Sequence, residues 1–530
     1  MPLISEEEEL SDPLALVSTP VLEPTSPAKG TYGQILKSSA IIGGSSVLNI
    51  AIGIVRTKIM ALLLGPAGFG MLSLYGSVVT LTQTLAGMGV NSSGVRQIAE
   101  AAGLHDEDRM HQTILVLRRI SILLGLLGAS CLIVFSRPAS RLTFGTNQHA
   151  AQISALSLAV FFTLVSAGQG ALIQGMRRIA DLAKLGVMGA LFGTLISIPL
   201  VYFFRDRGIV PSLIAVAAVT CLASWHYSRK VHIPIILLRP SVVMRESTAL
   251  LKLGFAFMAS GLMTVGVAYV IRIIVSRRIG LDATGLYQAA WTLGGLYVGF
   301  ILQAMGADFY PRLTACANDH PVCNRLVNEQ AHVGLLLGGP GVLATLTFAP
   351  LVIALFYSAR FGAAVGVLRW ICLGTIVQVV TWPMGFIIIA KAKQTLFIAC
   401  ELAWTIVSLA LAWICISRFG LNGVGIAFFG SYIFHGFLIY GVVRKMSGFL
   451  WSSENKRTGA LFLVVISAVF SGFYLLPFAY AECFGAIATL FSAIYSTRLL
   501  AKLVSSVPIP KQLRGLFIRL GILRGTPATD

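Results

Sequence analysis

Runs of about 20 apolar residues, separated by short polar segments, recur along almost the whole chain. Each run is as long as a helix needs to be to cross a bilayer core. Fourteen spans are expected, near 38–63, 68–90, 113–135, 151–175, 183–204, 209–227, 250–275, 285–307, 331–357, 364–390, 395–416, 422–443, 458–477 and 479–500. Pro477 alone divides the last two, so twelve or thirteen spans is the alternative. The longest polar segments, near 91–112 and 228–249, are too short for a soluble domain. The first contains VRQIAEAAG, a helical stretch suited to the membrane surface. The expected fold class is an all-α polytopic membrane protein.

Composition agrees with that reading. The chain has 530 residues, 56% hydrophobic and 12% charged, with a mean hydropathy of +0.83. Soluble domains carry about 25% charged residues. The net charge of +19 would point to nucleic acid in a soluble protein. Here the cations lie mainly in short segments between spans, which excludes nucleic acid as a partner and sets an orientation instead. With the N-terminus inside, 28 of the 40 Lys and Arg fall in cytoplasmic segments, eight in outer loops and four within spans. The positive-inside rule then places both termini in the cytoplasm.

The remaining features narrow the picture further. The first residues are acidic (Glu6–Glu9) and rich in Pro and Ser, without the basic start and apolar core of a signal peptide. Residues 1–34 are read as a disordered cytoplasmic tail. The C-terminal KQLRGLFIRLGILRG sets cations among Leu, Phe and Ile. Residues 504–530 are read as a basic amphipathic tail on the inner leaflet or as an ordinary positive-inside tail. The eight cysteines lie mostly inside spans and none forms a CxxC pair, so neither disulfide nor metal is expected.

The chain also repeats itself. The first span continues RTKIMALLLGPAGFGMLSL from Arg56, and the seventh continues RIIVSRRIGLDATGLYQAA from Arg272. With one gap, Arg56 pairs with Arg272, Gly65 with Gly280 and Gly70 with Gly285. Each segment places an arginine in an apolar helix before a tight glycine turn. The offset covers six spans, as in transporters built from two halves that hold substrate between them. The expected organisation is therefore a six-helix lobe at 35–248, a second at 249–445 around a central cavity, and an extra helix pair at 446–503.

Two stretches carry a specific resemblance. LLLGPAGFGMLSLYGS followed by GMGVNSSGVRQIAE resembles the opening of Wzx-type flippases. GADFYPRLTACANDHPVCNRLVNEQ, residues 306–330, is similar to a loop of that family in which YPRL precedes NEQ. The resemblance spans roughly 35–445. The acidic tail and the region beyond about 455 depart from the shorter, twelve-helix members. The family belongs to the multidrug/oligosaccharidyl-lipid/polysaccharide exporter superfamily. Its members move undecaprenyl-pyrophosphate-linked oligosaccharides for O-antigen or enterobacterial common antigen across the bacterial inner membrane. The resemblance implies a lipopolysaccharide-biosynthesis transporter with no cofactor. Its expected partners are the lipid-linked oligosaccharide, membrane lipid and surface-polysaccharide polymerase proteins.

Four cations lie within spans: Arg56, Lys58, Arg272 and Arg369. An arginine at a helix centre costs about 2.5–3.5 kcal/mol on insertion scales, so it needs a partner, a wet cavity or the interface. Arg56 and Arg272 lie about 12 Å from their turns at 1.5 Å per residue. A guanidinium suits a pyrophosphate, and this pair is the first candidate for substrate binding. The alternative is a structural arginine bonded to helix-end carbonyls. Lys58 and Arg369 are weaker substrate-binding candidates, because either can snorkel. Glu401, inside the eleventh span, is the candidate coupling group or a structural carboxyl bonded to a neighbour. No catalytic residue is expected.

Two other functions compete. A membrane enzyme of surface-polysaccharide assembly would need carboxylates facing substrate, and no outer loop has paired acids. A multidrug or cation antiporter would need an acid in its cavity, yet the first six spans carry none at mid-helix. GxxxxGK[ST] is absent, which argues against ATP-driven transport.

Overall fold

The computed structural model describes residues 29–231 and 239–505, and every regular element in them is a helix. Most of the two tails, residues 1–28 and 506–530, lies outside the described residues. The first helix, α1 (Lys29–Gly87), starts inside the segment expected to be tail. Its apolar stretch, Gly43–Gly87, has 45 residues. Straight, that stretch would be about 68 Å long, more than twice a bilayer core. Gly65 breaks it with φ 66° and ψ −175°, a backbone that glycine adopts without steric cost. Pro66 then withholds the N–H that a continuous helix would use. One helix thus supplies two crossings.

The stretch expected as the first lobe continues through α2 (Val90–Gly103), α3 (Glu107–Val134), α4 (Ser136–Phe144), α5 (Ala150–Ala155), α6 (Ser157–Gly175), α7 (Ile179–Phe204) and α8 (Ile209–Ser228). The stretch expected to lie along the membrane surface is α2, and it buries Val90, Gln97, Ile98 and Ala101 against its neighbours. Asp106 caps α3 by accepting from the Arg109 N–H at 2.9 Å. The stretch expected as the second lobe holds α9 (Pro240–Arg278), which starts ahead of the expected bound at 249, then α10 (Leu281–Ala315), α11 (His320–Thr347), α12 (Ala349–Phe356), α13 (Ala364–Ala390), α14 (Gln394–Phe419) and α15 (Asn422–Ser447). The extra pair is α16 (Ser453–Leu475) and α17 (Phe478–Ser505).

Ten stretches are long and apolar enough to span on their own. Two of them, Gly43–Gly87 and Ile179–Ser228, hold two crossings each, divided at Gly65 and at the Arg205–Gly208 turn. The bent pair α11–α12 and the 35-residue α10 bring the membrane-length segments to fourteen among the described residues. Two expectations need correction. The span placed at 331–357 bends by 81° between Thr347 and Ala349. Pro350 lies just past that bend, in the first turn of α12, where its missing N–H costs nothing. The segment 306–330 is no open loop: α10 runs to Ala315 and α11 starts at His320, capped by Asp319.

The cores are shared between the two halves of the chain. Tyr75, Leu132, Val160 and Ile209 form one cluster with Tyr269 and Ile273 of α9, and Ile98, Ile114, Leu117 and Leu172 another with Leu250 of α9. The large cluster of the second lobe runs through Leu343, Leu368, Ile371 and Val379 and draws in Ala61 and Phe69 of α1. Outside these cores Phe203, Phe437 and Leu475 are 75%, 75% and 80% exposed. Hydrocarbon is the solvent that suits such a surface.

The extra pair packs on α11. A set of neutral hydrogen bonds anchors its linker. Asn324 Nδ2 donates to the Ser447 carbonyl at 2.8 Å, and Asn328 Nδ2 to that of Leu450 at 3.0 Å. Asn328 Oδ1 accepts from the Ser452 N–H at 2.8 Å and from Asn455 Nδ2 at 2.9 Å. Both asparagines come from the NRLVNEQ stretch, which gives that motif a structural task.

Candidate functional site at the lobe crossing

The sequence repeat has a backbone counterpart. Gly280 separates α9 from α10 with φ 122° and ψ 177°, as Gly65 divides α1. Beyond these breaks the second half of α1 crosses α10, and the matched glycines Gly70 and Gly285 face each other. A Cβ on Gly70 would lie 3.0 Å from the Gly285 nitrogen, and one on Gly285 3.0 Å from that of Gly70. Only hydrogen fits between these backbones.

One turn further on, the crossing becomes polar. Gln288 Oε1 accepts from Ser73 Oγ at 2.9 Å and from Arg272 Nε at 2.8 Å. Gln288 Nε2 donates to Thr292 Oγ1 at 3.1 Å. One amide thus joins the first lobe, through Ser73, to the arginine of the second. The bonds are directional and leave the far side of the guanidinium unassigned, so Arg272 is oriented and still has donors to offer. Arg56 lies on the first half of α1 and is part-buried, and among the described residues it has no hydrogen-bond or ion-pair partner.

The structure assigns the other two cations to helix ends. Lys58 Nζ donates to the Leu355 carbonyl at 2.6 Å, close to the end of α12. Arg369 Nε donates to the Leu346 carbonyl at 3.3 Å, and its guanidinium lies 3.5 Å from the centroid of the Phe473 ring on α16. A cation at a helix C-terminus is favourable there. Neither side chain joins the Arg272–Gln288–Ser73 group in any bond described, and Arg369 Nη2 is buried without a partner among the described residues. Glu401 Oε1 lies 3.8 Å from His435 Nε2, beside the rings of Trp404 and Tyr432.

The end of the molecule carrying Gly65 is shut. Phe69 of the first lobe meets Tyr357 and Phe361 of the second edge to face, at 5.5 and 5.9 Å. Contacts of that kind contribute about 0.5–1.5 kcal/mol each beyond area burial. The opposite end also holds a backbone approach. A Cβ on Gly254 of α9 would lie 3.1 Å from the Gly89 carbonyl carbon, and Gly89 has φ 61°. Beside it a cavity of about 370 Å³ is lined by Gln83, Thr84, Asn91, Ser92, Ser121 and Thr163 among others.

Charge-seeking in the sequence missed Ser73, Gln288 and Thr292. The signal that finds the first two is the repeat itself, because Ser73 and Gln288 each lie three residues beyond the paired glycines. The His435 partner of Glu401 is one span away and no local pattern announces it.

Residues 59–366 match a family model described as polysaccharide biosynthesis protein. The lipid III flippase of Escherichia coli (strain K12) is 22% identical over 422 residues, covering 77% of this chain and 98% of that protein. The lipid III flippase of Shigella flexneri matches to the same extent. Among solved structures, lipid II flippase MurJ in an inward closed conformation aligns with a TM-score of 0.64 at 14% identity, covering 88% of this chain and 99% of that one. An inward-facing multidrug resistance MATE family transporter of the MOP superfamily aligns with a TM-score of 0.63 at 14% identity, covering 76% and 94%.

Proposed function

The chain belongs to the polysaccharide biosynthesis protein family, and we propose that it moves an undecaprenyl-pyrophosphate-linked oligosaccharide from the inner to the outer leaflet of the bacterial inner membrane. The observation that carries this reading is the Ser73–Gln288–Arg272 group at the crossing of the lobes. An anion held there touches both halves of the molecule at once, which is what alternating access needs from its substrate. Arg56 is the second anion-binding group, available because no other described side chain bonds to it. The lipid III flippases that match almost end to end supply the substrate class by their names.

Both termini lie in the cytoplasm on this reading, and the shut Gly65 end faces outward. The interior of the cell is negative, so outward movement of a dianion is downhill. At about 2.3 kcal/mol per charge per 100 mV, two charges supply about 4–5 kcal/mol. Glu401 and His435 form the group that would titrate if a proton accompanies the cycle. Surface-polysaccharide polymerase proteins are the partners that would receive the flipped lipid.

The test replaces Arg56 and Arg272 by Lys and by Ala and follows surface-glycan assembly in cells. Alanine at either position stops assembly with protein still in the membrane, and Lys retains part of it. Normal assembly in both Ala variants would refute the assignment. A deletion strain separates the antiporter reading: undecaprenyl-linked intermediate accumulates on the inner leaflet and drug susceptibility does not change.

A further inference from the structure

A second cavity, of about 280 Å³, lies inside the second lobe between α9, α10, α13, α14 and α15. Among the described residues no charged side chain lines it. Its wall combines the aromatic rings of Tyr287, Trp291, Trp404 and Tyr432 with the neutral polar groups of Gln378 and Ser408. Trp404 Nε1 and Ser408 Oγ are buried and have no hydrogen-bond partner among the described residues. They lie four residues apart on α14, hence on one face, and Ser408 is only 5% exposed. Buried polar groups are almost always paired, so two unpaired ones in one cavity wall point to a missing ligand.

The cavity is also continuous in sequence with the anion site. Tyr287 and Ile271 line it, and their chain neighbours Gln288 and Arg272 make the 2.8 Å bond at the crossing. The same two helix turns therefore present a guanidinium to one space and an aromatic wall to the next.

We propose that this cavity seats the sugar unit attached to the pyrophosphate of the lipid-linked glycan, an inference that rests on the flippase reading above. A pyranose ring has apolar C–H faces and a rim of neutral hydroxyls. Flat aromatic rings match the faces, and an amide, an indole N–H and a serine hydroxyl match the rim. A cationic drug finds no carboxylate in this wall. An acyl chain would leave Trp404 Nε1 and Ser408 Oγ unpaired. A few placed polar groups in an apolar pocket fix orientation and confer specificity, so this cavity selects which first sugar is moved.

The experiment uses full-length protein in proteoliposomes and two probes: a polyprenyl pyrophosphate carrying one N-acetylglucosamine, and the same lipid without sugar. Wild type moves the sugar-bearing lipid at least fivefold faster. Trp404→Phe keeps the ring and removes the N–H, Ser408→Ala removes the hydroxyl, and Gln378→Ala removes the amide. Each variant moves both lipids at the slower rate. Full sugar preference retained in all three variants overturns the proposal, and so does a wild type that moves both lipids equally. A wild type that moves neither lipid overturns the flippase reading itself.

Discussion

Replacing Gly285 by alanine puts a methyl group where the two lobes have no room for one. The new Cβ would lie 2.8 Å from the Pro66 carbonyl carbon, closer still to its oxygen, and 3.0 Å from the Gly70 nitrogen. Real Cβ atoms essentially never come within 3.0 Å of such neighbours. These are backbone atoms, so no rotamer change relieves the clash. The second half of α1 and α10 must separate by on the order of 1 Å, as overpacked interiors do. The Ser73 Oγ to Gln288 Oε1 distance of 2.9 Å then exceeds hydrogen-bonding range. Overpacking costs about 1–3 kcal/mol, which shifts a two-state equilibrium about 5–150-fold away from the state with this end shut. Spin labels at Arg207 and Ala359, on a cysteine-free background, report the opening as a longer distance distribution. Gly70→Ala acts in the same way, because its Cβ would meet the Leu281 backbone. Gly299→Ala is the control on the same helix, with nothing within 4 Å of the added atom. Distance distributions that superimpose for Gly285→Ala, Gly70→Ala and Gly299→Ala would refute the reasoning.

Further outcomes follow from single contacts. Gln288→Leu removes the acceptor of Arg272, a bond to a charged group; stability falls by about 1.5–3 kcal/mol, and translocation in proteoliposomes by folded, membrane-inserted protein falls about tenfold. Arg369→Leu lowers stability alone. It loses the bond to the Leu346 carbonyl and the Phe473 ring contact, and stability falls by about 1–3 kcal/mol in a denaturation assay with translocation retained. Asn328→Ala frees the linker at 448–452, and limited proteolysis cuts there first. His149, which precedes α5, lies 2.9 Å from the Tyr75 hydroxyl through Nδ1, and burial holds its imidazole below the ordinary value. The unfolded chain then binds a proton that the folded chain refuses, so stability is complete above about pH 6.5 and declines as pH falls. Thermal unfolding across that range shows the decline, and His149→Gln flattens it.

The parts legible in the sequence were those with a one-dimensional signature. Apolar length located the spans, and Pro477 divided the last two because the residue before a proline is driven out of the helical region. Leu476 is indeed extended, with φ −112° and ψ 155°. The repeat located both glycine breaks. At Phe348, Pro350 marks a break, but its size of 81° was not legible, since apolar composition continues straight through it. Arg369 shows the limit for the site. Its position in a span says that the charge needs compensation, and only the fold says that Leu346 and Phe473 provide it. Gln288 escaped for the opposite reason: a neutral amide in an apolar run raises no alarm, although it makes the bond that joins the lobes.

The glycine crossing has a consequence for descent. Gly70 and Gly285 are the same position of the two repeats, and they meet each other. In a symmetric pair of unfused half-length chains, one glycine would meet its own copy on the rotation axis. Every substitution there would have struck twice, once from each side. Two repeats within one chain are free of that constraint. Each side of the axis can change alone, and one position differs in this way: where Ser73 carries a hydroxyl, its counterpart Gln288 carries the longer amide that reaches back to Arg272.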